Sequence, residues 1–200
     1  MIRLFLTAAI CAFAATSALA EPLTISQISA YLNTIKAAQG RFTQINSDGS
    51  ISTGEISIKR PGKIRFDYDP PELALVLASS GAVYILDRKL AAEPKTYPLR
   101  RTPLSILLAR KVDLARDAQI IDHGEGDGFS YLRARDPKRP DQGSIELRLT
   151  HEPIALREWV ITDADGYQTV ILLESLQELK PSQLPNKMFY IDPELERLRR

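Results

Sequence analysis

Two periods of apolar residues run along this chain. Ile25, Ile28, Leu32 and Ile35 recur at helical spacing behind a Thr24–Gln27 capping box, and Gly40 closes the run. This predicts a first helix over 24–38. The period then drops to two. Short alternating or apolar segments at 41–46, 51–59, 63–69, 73–79 and 82–87 read as strands. Ser47 to Ser50 and Ser79 to Gly81 carry turn chemistry between them. Residues 88–101 read as irregular. Thr102-Pro103 opens a second helix over 103–110 that is apolar nearly all round. Strands resume at 117–123, 128–135, 143–150, 154–163, 167–177 and 186–191, with hairpin connections at 124–128 and 163–166.

Strand spacing of about ten residues with such turns predicts one antiparallel sheet or barrel with helices, a mainly β, α+β chain. No linker or fixed-period repeat interrupts it.

The alternation is sharpest around the Pro61-Gly62 turn. Ile56 and Ile58 share a face, and Arg60 falls on that face if the strand runs on. After the turn Ile64, Phe66 and Tyr68 share a face, while Lys59, Lys63 and Arg65 are expected outside. A guanidinium at the edge of an apolar surface is costly unless paired, so Arg60 is expected to have a dedicated partner. Elsewhere both faces are apolar: Leu73, Leu75 and Leu77 oppose Ala74, Val76 and Ala78. Two readings stay open here. Another layer covers the second face, or the concave face lines a cavity for an apolar ligand under the helices.

The first twenty residues change the picture of where the chain works. Arg3, the apolar run Leu4 to Ala15 and the small-x-small motif Ala18-Leu19-Ala20 read as a secretory signal peptide, cleaved after Ala20. The run is too short for a spanning helix, and Ile10 before Cys11 is the wrong context for a lipid anchor. Residues 21–200 then form one domain without cysteine. The chain carries 26 basic and 25 acidic residues, and Arg3 belongs to the leader. That balance argues against a nucleic-acid partner.

Catalytic constellations are weak, and no enzyme, cofactor or metal is expected. His123 and His151 stand at strand ends without metal-ligand spacing and read as satisfied surface side chains. Asp163 and Asp165 lack the glutamate that completes a calcium loop. Ser79-Ser80-Gly81 lacks the leading glycine of a nucleophile elbow. The basic residues Arg88, Lys89, Lys95, Arg100 and Arg101 read as a solvated loop, or as a contact for acidic partners or lipid headgroups.

Several of these segments together resemble the outer-membrane lipoprotein carrier family, the LolA-like periplasmic chaperones. They are the first helix leading into Gly40-Arg-Phe-Thr-Gln44, the unit Lys59-Arg60-Pro61-Gly62-Lys63-Ile64-Arg65-Phe66, and Asp69-Pro70-Pro71. Thr102 to Ala109 and Leu184 to Tyr190 complete the match. The resemblance implies an open, incomplete antiparallel β-barrel covered by a helical lid, with a cavity that takes lipoprotein acyl chains. It implies a cavity lined by Ile56, Ile58, Ile64, Phe66, Tyr68, Leu75, Leu77, Ile145, Leu147, Leu149 and Trp159. Lid helices would present Ile28, Leu32, Ile35, Leu104, Ile106, Leu107 and Leu108, and Arg60 would latch the lid through its backbone. The implied partners are lipoprotein cargo, an inner-membrane lipoprotein-releasing ABC transporter, and an outer-membrane receptor or the membrane itself. A monomer in the periplasm is expected.

The chain departs from the family pattern at Ser80-Gly81, where Asp-Gly is usual, and at Val83 and Ile64, where aromatics are common. These departures bear on cargo more than on fold. The alternatives are a carrier of another amphiphile, such as a glycolipid, and a lipoprotein-sensing regulatory module. The latter is expected to need a further domain, for which these 200 residues are expected to leave no room.

Overall fold

The computed structural model describes residues 21–90 and 92–198; the expected signal peptide lies outside the described residues. Helix α1 (Ile25–Thr34) leads into β1 (Ala37–Ile45), β2 (Ile51–Lys59), β3 (Lys63–Tyr68), β4 (Ala74–Ser79), β5 (Ala82–Asp87) and β6 (Lys95–Pro98). The one-turn helices α2 (Leu104–Leu107) and α3 (Leu114–Asp117) follow. Then come β7 (Gln119–Gly126), β8 (Phe129–Arg135), β9 (Ser144–His151), β10 (Ile154–Thr162), β11 (Gln168–Leu179) and α4 (Asp192–Leu198).

The strands form one antiparallel sheet in the order β6-β5-β4-β3-β2-β1-β11-β10-β9-β8-β7. It is open: β6 and β7 are free edges rather than partners. A single core cluster unites Ile56, Ile64 and Phe66 of one half with Leu132, Leu147 and Trp159 of the other, together with Ile28 and Leu32 of α1. The sheet therefore curls around its helices, as an incomplete barrel with a helical cover.

The capping box forms as the sequence suggests: Gln27 N donates to Thr24 Oγ1 at 3.2 Å, and Thr24 N to Gln27 Oε1 at 2.8 Å. The helix stops earlier than its apolar period, at Thr34, with Ile35 already extended. The following residues gain more from pairing: β1 lies between β2 and β11, and Ala37 and Ala38 are fully buried. Gly40 is thus a strand residue. At the β-bulge beside it β11 comes so close that a Cβ would stand 1.7 Å from the Ser175 carbonyl oxygen.

The outer face of the β3–β5 half is covered by the C-terminal segment. Leu184 and Phe189 pack with Ala37, Leu75, Leu77 and Leu86 in a second cluster. Leu75 and Leu77 were expected in the cavity and belong here instead. Strand pairing sets this: Phe66 opposes Val76 and Ile64 opposes Ala78, so Val76 and Ala78 look inward. The strand expected at 186–191 is a 3-10 turn (Asn186–Phe189) that leads to α4. Pro185 has φ −60°, and the Met188 amide bonds back to its carbonyl at 3.1 Å.

Arg65 does point away from the inner face, but it is buried rather than solvated, 9% exposed. It donates to the Met188 carbonyl at 2.9 Å and to Glu194 at 3.0 Å, and pairs with Asp67. Arg88 donates to Asp67 at 2.9 Å and to Glu194 at 3.0 Å. Burial alone would raise the Glu194 carboxyl; hydrogen bonding and the charges of Arg65 and Arg88 outweigh it and hold it below the usual carboxylate range.

Two outcomes follow from this packing. Gly40→Ala is expected to destabilise the fold by more than about 2 kcal/mol, read by urea unfolding, because backbone must move. Glu194→Gln is expected to cost about 2 kcal/mol at neutral pH. A depressed folded pKa gives stability at neutral pH that is lost as pH falls through it. The gap in melting temperature between wild type and Glu194→Gln should therefore close only below the ordinary carboxylate range.

Candidate functional site

The inner face of the sheet is apolar by register. Ile56 opposes Phe66 and Ile58 opposes Ile64 across β2 and β3. Phe42 of β1 meets the rings of Phe66 and Tyr68 edge-on, each with centroids 5.1 Å apart. Phe66 reaches Trp159 across the curled sheet at 6.3 Å. Ile145, Leu147 and Leu149 of β9 join from the far half, each fully buried. Tyr68 lies at the border. Its hydroxyl donates to Gln44 Oε1 at 2.6 Å, and burial pushes its pKa up to about 12.

The helices occupy the space this face encloses. Ile28 and Leu32, both fully buried, project from α1 into the centre of the core. The Tyr31 hydroxyl accepts from the Leu156 amide at 3.0 Å and holds α1 across β10. Leu107 and Leu108 are buried in the same cluster, and Leu104 and Ile106 pack against it partly exposed. Ile35 is buried but caps α1 rather than belonging to it. The interior is thus filled by the lid's own side chains. A cleft of about 400 Å³ lies on the α2–α3 side instead, lined by Ile106, Val112 and Leu114 but also by charged side chains such as Lys111, Arg116 and Asp136.

Arg60 joins the two parts. It follows β2, and its amide donates to the Lys36 carbonyl at 2.9 Å. Its Nε and Nη2 both donate to the Ala109 carbonyl, at 3.1 and 2.9 Å. Nη1 donates to the Leu32 carbonyl and, at 3.5 Å, to that of Ile35; Nη2 also reaches Asn33 Oδ1 at 3.2 Å. These are carbonyls at the C-terminal end of α1 and just beyond α2, which the helices leave unpaired. They carry partial negative charge that suits a guanidinium. Burial pulls the Arg60 pKa down from its ordinary value. Its acceptors are backbone carbonyls and the Asn33 amide oxygen, so the charge is met by dipoles. Beside it the Gly62 amide donates to the Leu108 carbonyl at 2.9 Å.

Sequence periodicity finds the sheet side of this junction and misses the lid side. Asn33 bonds with Val112, 79 residues away, and no local pattern marks it. Helix α3 is also missed, although Asp113 caps it through the Arg116 amide at 3.3 Å, a readable Asp-before-Leu signal. Strand β6 forms inside the region read as irregular because β5 supplies its pairing, with Val83 opposite Tyr97. Of the basic cluster, Lys89, Lys95, Arg100 and Arg101 are exposed and Arg88 belongs to the Glu194 network. The histidines are satisfied but half-buried. His123 bonds the Leu23 carbonyl at 2.7 Å and His151 bonds Glu125 at 2.8 Å.

Residues 33–192 match the family model described as outer membrane lipoprotein carrier protein LolA. An outer-membrane lipoprotein carrier protein of Chromobacterium violaceum is 27% identical over 194 residues, covering 94% of this chain and 92% of its own. Its counterpart in Dechloromonas aromatica is 28% identical, covering 90% and 89%. Among solved structures, a LolA superfamily protein from Nitrosomonas europaea aligns over 86% of this chain and 99% of its own, at 11% identity and TM-score 0.44. MucB in complex with MucA aligns over 80% and 58%, at 15% identity and TM-score 0.38. With the family model spanning most of the chain, the protein belongs to the outer-membrane lipoprotein carrier family.

Proposed function

We propose that this protein is a periplasmic carrier that shelters the acyl chains of lipoproteins between its inner sheet face and its lid. It is exported by the leader at residues 1–20, receives cargo from an inner-membrane lipoprotein-releasing ABC transporter, and delivers it to an outer-membrane receptor or to the membrane. It acts by binding and release and not as an enzyme. One observation carries the reading: an apolar interior is sealed by helices held at its rim by Arg60 on lid carbonyls.

The energetics suit a carrier that must let go. Burying acyl chain is worth roughly 0.8 kcal/mol per methylene, so even one long chain in an empty cup would bind too tightly to leave. Here Ile28 and Leu32 fill the cup when it is vacant. Cargo must displace them, and its apparent affinity falls by the weight of the closed state. Hydrogen bonds from a charged donor contribute roughly 1.5–3 kcal/mol each to that closed state. In this scheme Ile56, Ile58, Ile64, Phe66, Ile145, Leu147, Leu149 and Trp159 contact the chains, and Arg60 sets how readily they are given up.

Arg60→Leu is expected to keep the fold, since an apolar side chain replaces a buried charge. It is also expected to load a fluorescent lipopeptide at least as well as wild type. Transfer from the loaded variant to acceptor vesicles should slow about tenfold or more, because the latch no longer favours the empty closed form. Transfer at the wild-type rate with equal loading would remove Arg60 from the mechanism. Preference for a glycolipid over the lipopeptide in the same loading assay would change the cargo class.

A further inference from the structure

The lid is two separate pieces of chain, α1 and the segment Leu104–Asp117, and the Asn33 side chain joins them by a reciprocal pair of bonds. Asn33 Nδ2 donates to the Val112 carbonyl at 2.7 Å, and the Val112 amide donates back to Asn33 Oδ1 at 2.9 Å. The side-chain amide therefore pairs with Val112 as a neighbouring strand would. Its second N–H goes to the Ser29 carbonyl at 2.8 Å and fixes the side chain on the helix. Its oxygen also takes the bond from Arg60 Nη2. A primary amide has two donors and two acceptor sites, and here all four are used. Beside it the Leu114 amide donates to Ser29 Oγ at 3.1 Å.

We infer that Asn33 is a positioning residue that makes the two lid pieces open and close as one unit, coupled to the Arg60 latch. Each partner of Asn33 lies on a different body: Ser29 on α1, Val112 between α2 and α3, Arg60 on the sheet. Val112 is itself a core residue, 3% exposed, so moving it breaks the apolar seal. Arg60 alone touches α1 and Ala109 but does not order Val112 or Leu114. Without Asn33 the second piece would lift separately, and loss of the latch would no longer be transmitted across the lid. The mechanical claim stands without cargo; its consequence for transfer rests on the carrier reading.

Amide hydrogen exchange on the cargo-free protein tests the coupling. The Gly62 amide bonds the sheet to the second lid piece and the Leu114 amide bonds that piece to α1, and neither touches Asn33. In Asn33→Ala both are expected to exchange about tenfold faster or more, while core amides such as Leu147 keep their wild-type protection. Asn33→Asp removes both donors while keeping the shape, and is expected to show the same pattern; it decides the matter if the alanine variant does not fold. Faster exchange confined to Val112 would make Asn33 a local hydrogen-bond partner only and overturn the inference. In the lipopeptide assay, Asn33→Ala is expected to slow transfer, and the double variant with Arg60→Leu to match Arg60→Leu alone within about twofold. Independent, multiplying effects would overturn the coupling. If wild type loads no lipopeptide, the carrier reading fails while the exchange result still decides the role of Asn33.

Discussion

Five hydrogen bonds from one guanidinium hold this protein's two parts together. The sheet offers an apolar concave face, and the helices offer an apolar underside. Hydrophobic contact between them is strong but non-directional. Arg60 adds direction: it fixes which carbonyls meet the sheet edge and where the lid stops. A buried guanidinium is tolerable there because it meets carbonyls that helix ends leave unpaired, together with the Asn33 amide oxygen. In the proposed carrier, a shift of the lid would take these carbonyls away together and water would replace them.

The opposite face is held in a different way. The β3–β5 half carries its own apolar cluster beneath the C-terminal segment, fastened by Arg65, Arg88 and Glu194. Two of these contacts, Arg65–Glu194 and Arg88–Glu194, are between charged side chains, and the segment follows directly on the long β11. The inner helices, by contrast, are held by hydrogen bonds that involve backbone groups, from Arg60 to the Leu32 and Ala109 carbonyls and between Asn33 and Val112. One face is fastened by paired charges and the other by a cation on dipoles.

Much of this was legible in the sequence. Period-two alternation through Ile56, Ile58 and the Pro61-Gly62 turn put Arg60 on the inner face, where it stands. Where both faces of a strand are apolar, alternation has no sign. In β4 the larger residues Leu75 and Leu77 turn outward and the smaller Val76 and Ala78 inward, since the cover that makes this favourable comes from residues 184–198. Gly40 read as a helix end because its true constraint, the Ser175 carbonyl, is 135 residues away in the chain. Asn33 was silent for the same reason. Local chemistry tells that an asparagine can bond, and only the tertiary fold tells that Val112 is there to bond with.

If this protein carries acyl chains as proposed, the lid must leave the sheet when cargo enters. Cys11 is the sole cysteine of the sequence, so residues 21–200 can carry two introduced cysteines without background. Ala30 on α1 and Glu55 on the outer face of β2 are both exposed and suit spin labels. Their distance distribution, measured with and without a saturating lipopeptide, should shift to longer separations on loading and return on transfer to vesicles. A single unchanged distribution with lipopeptide demonstrably bound would contradict it.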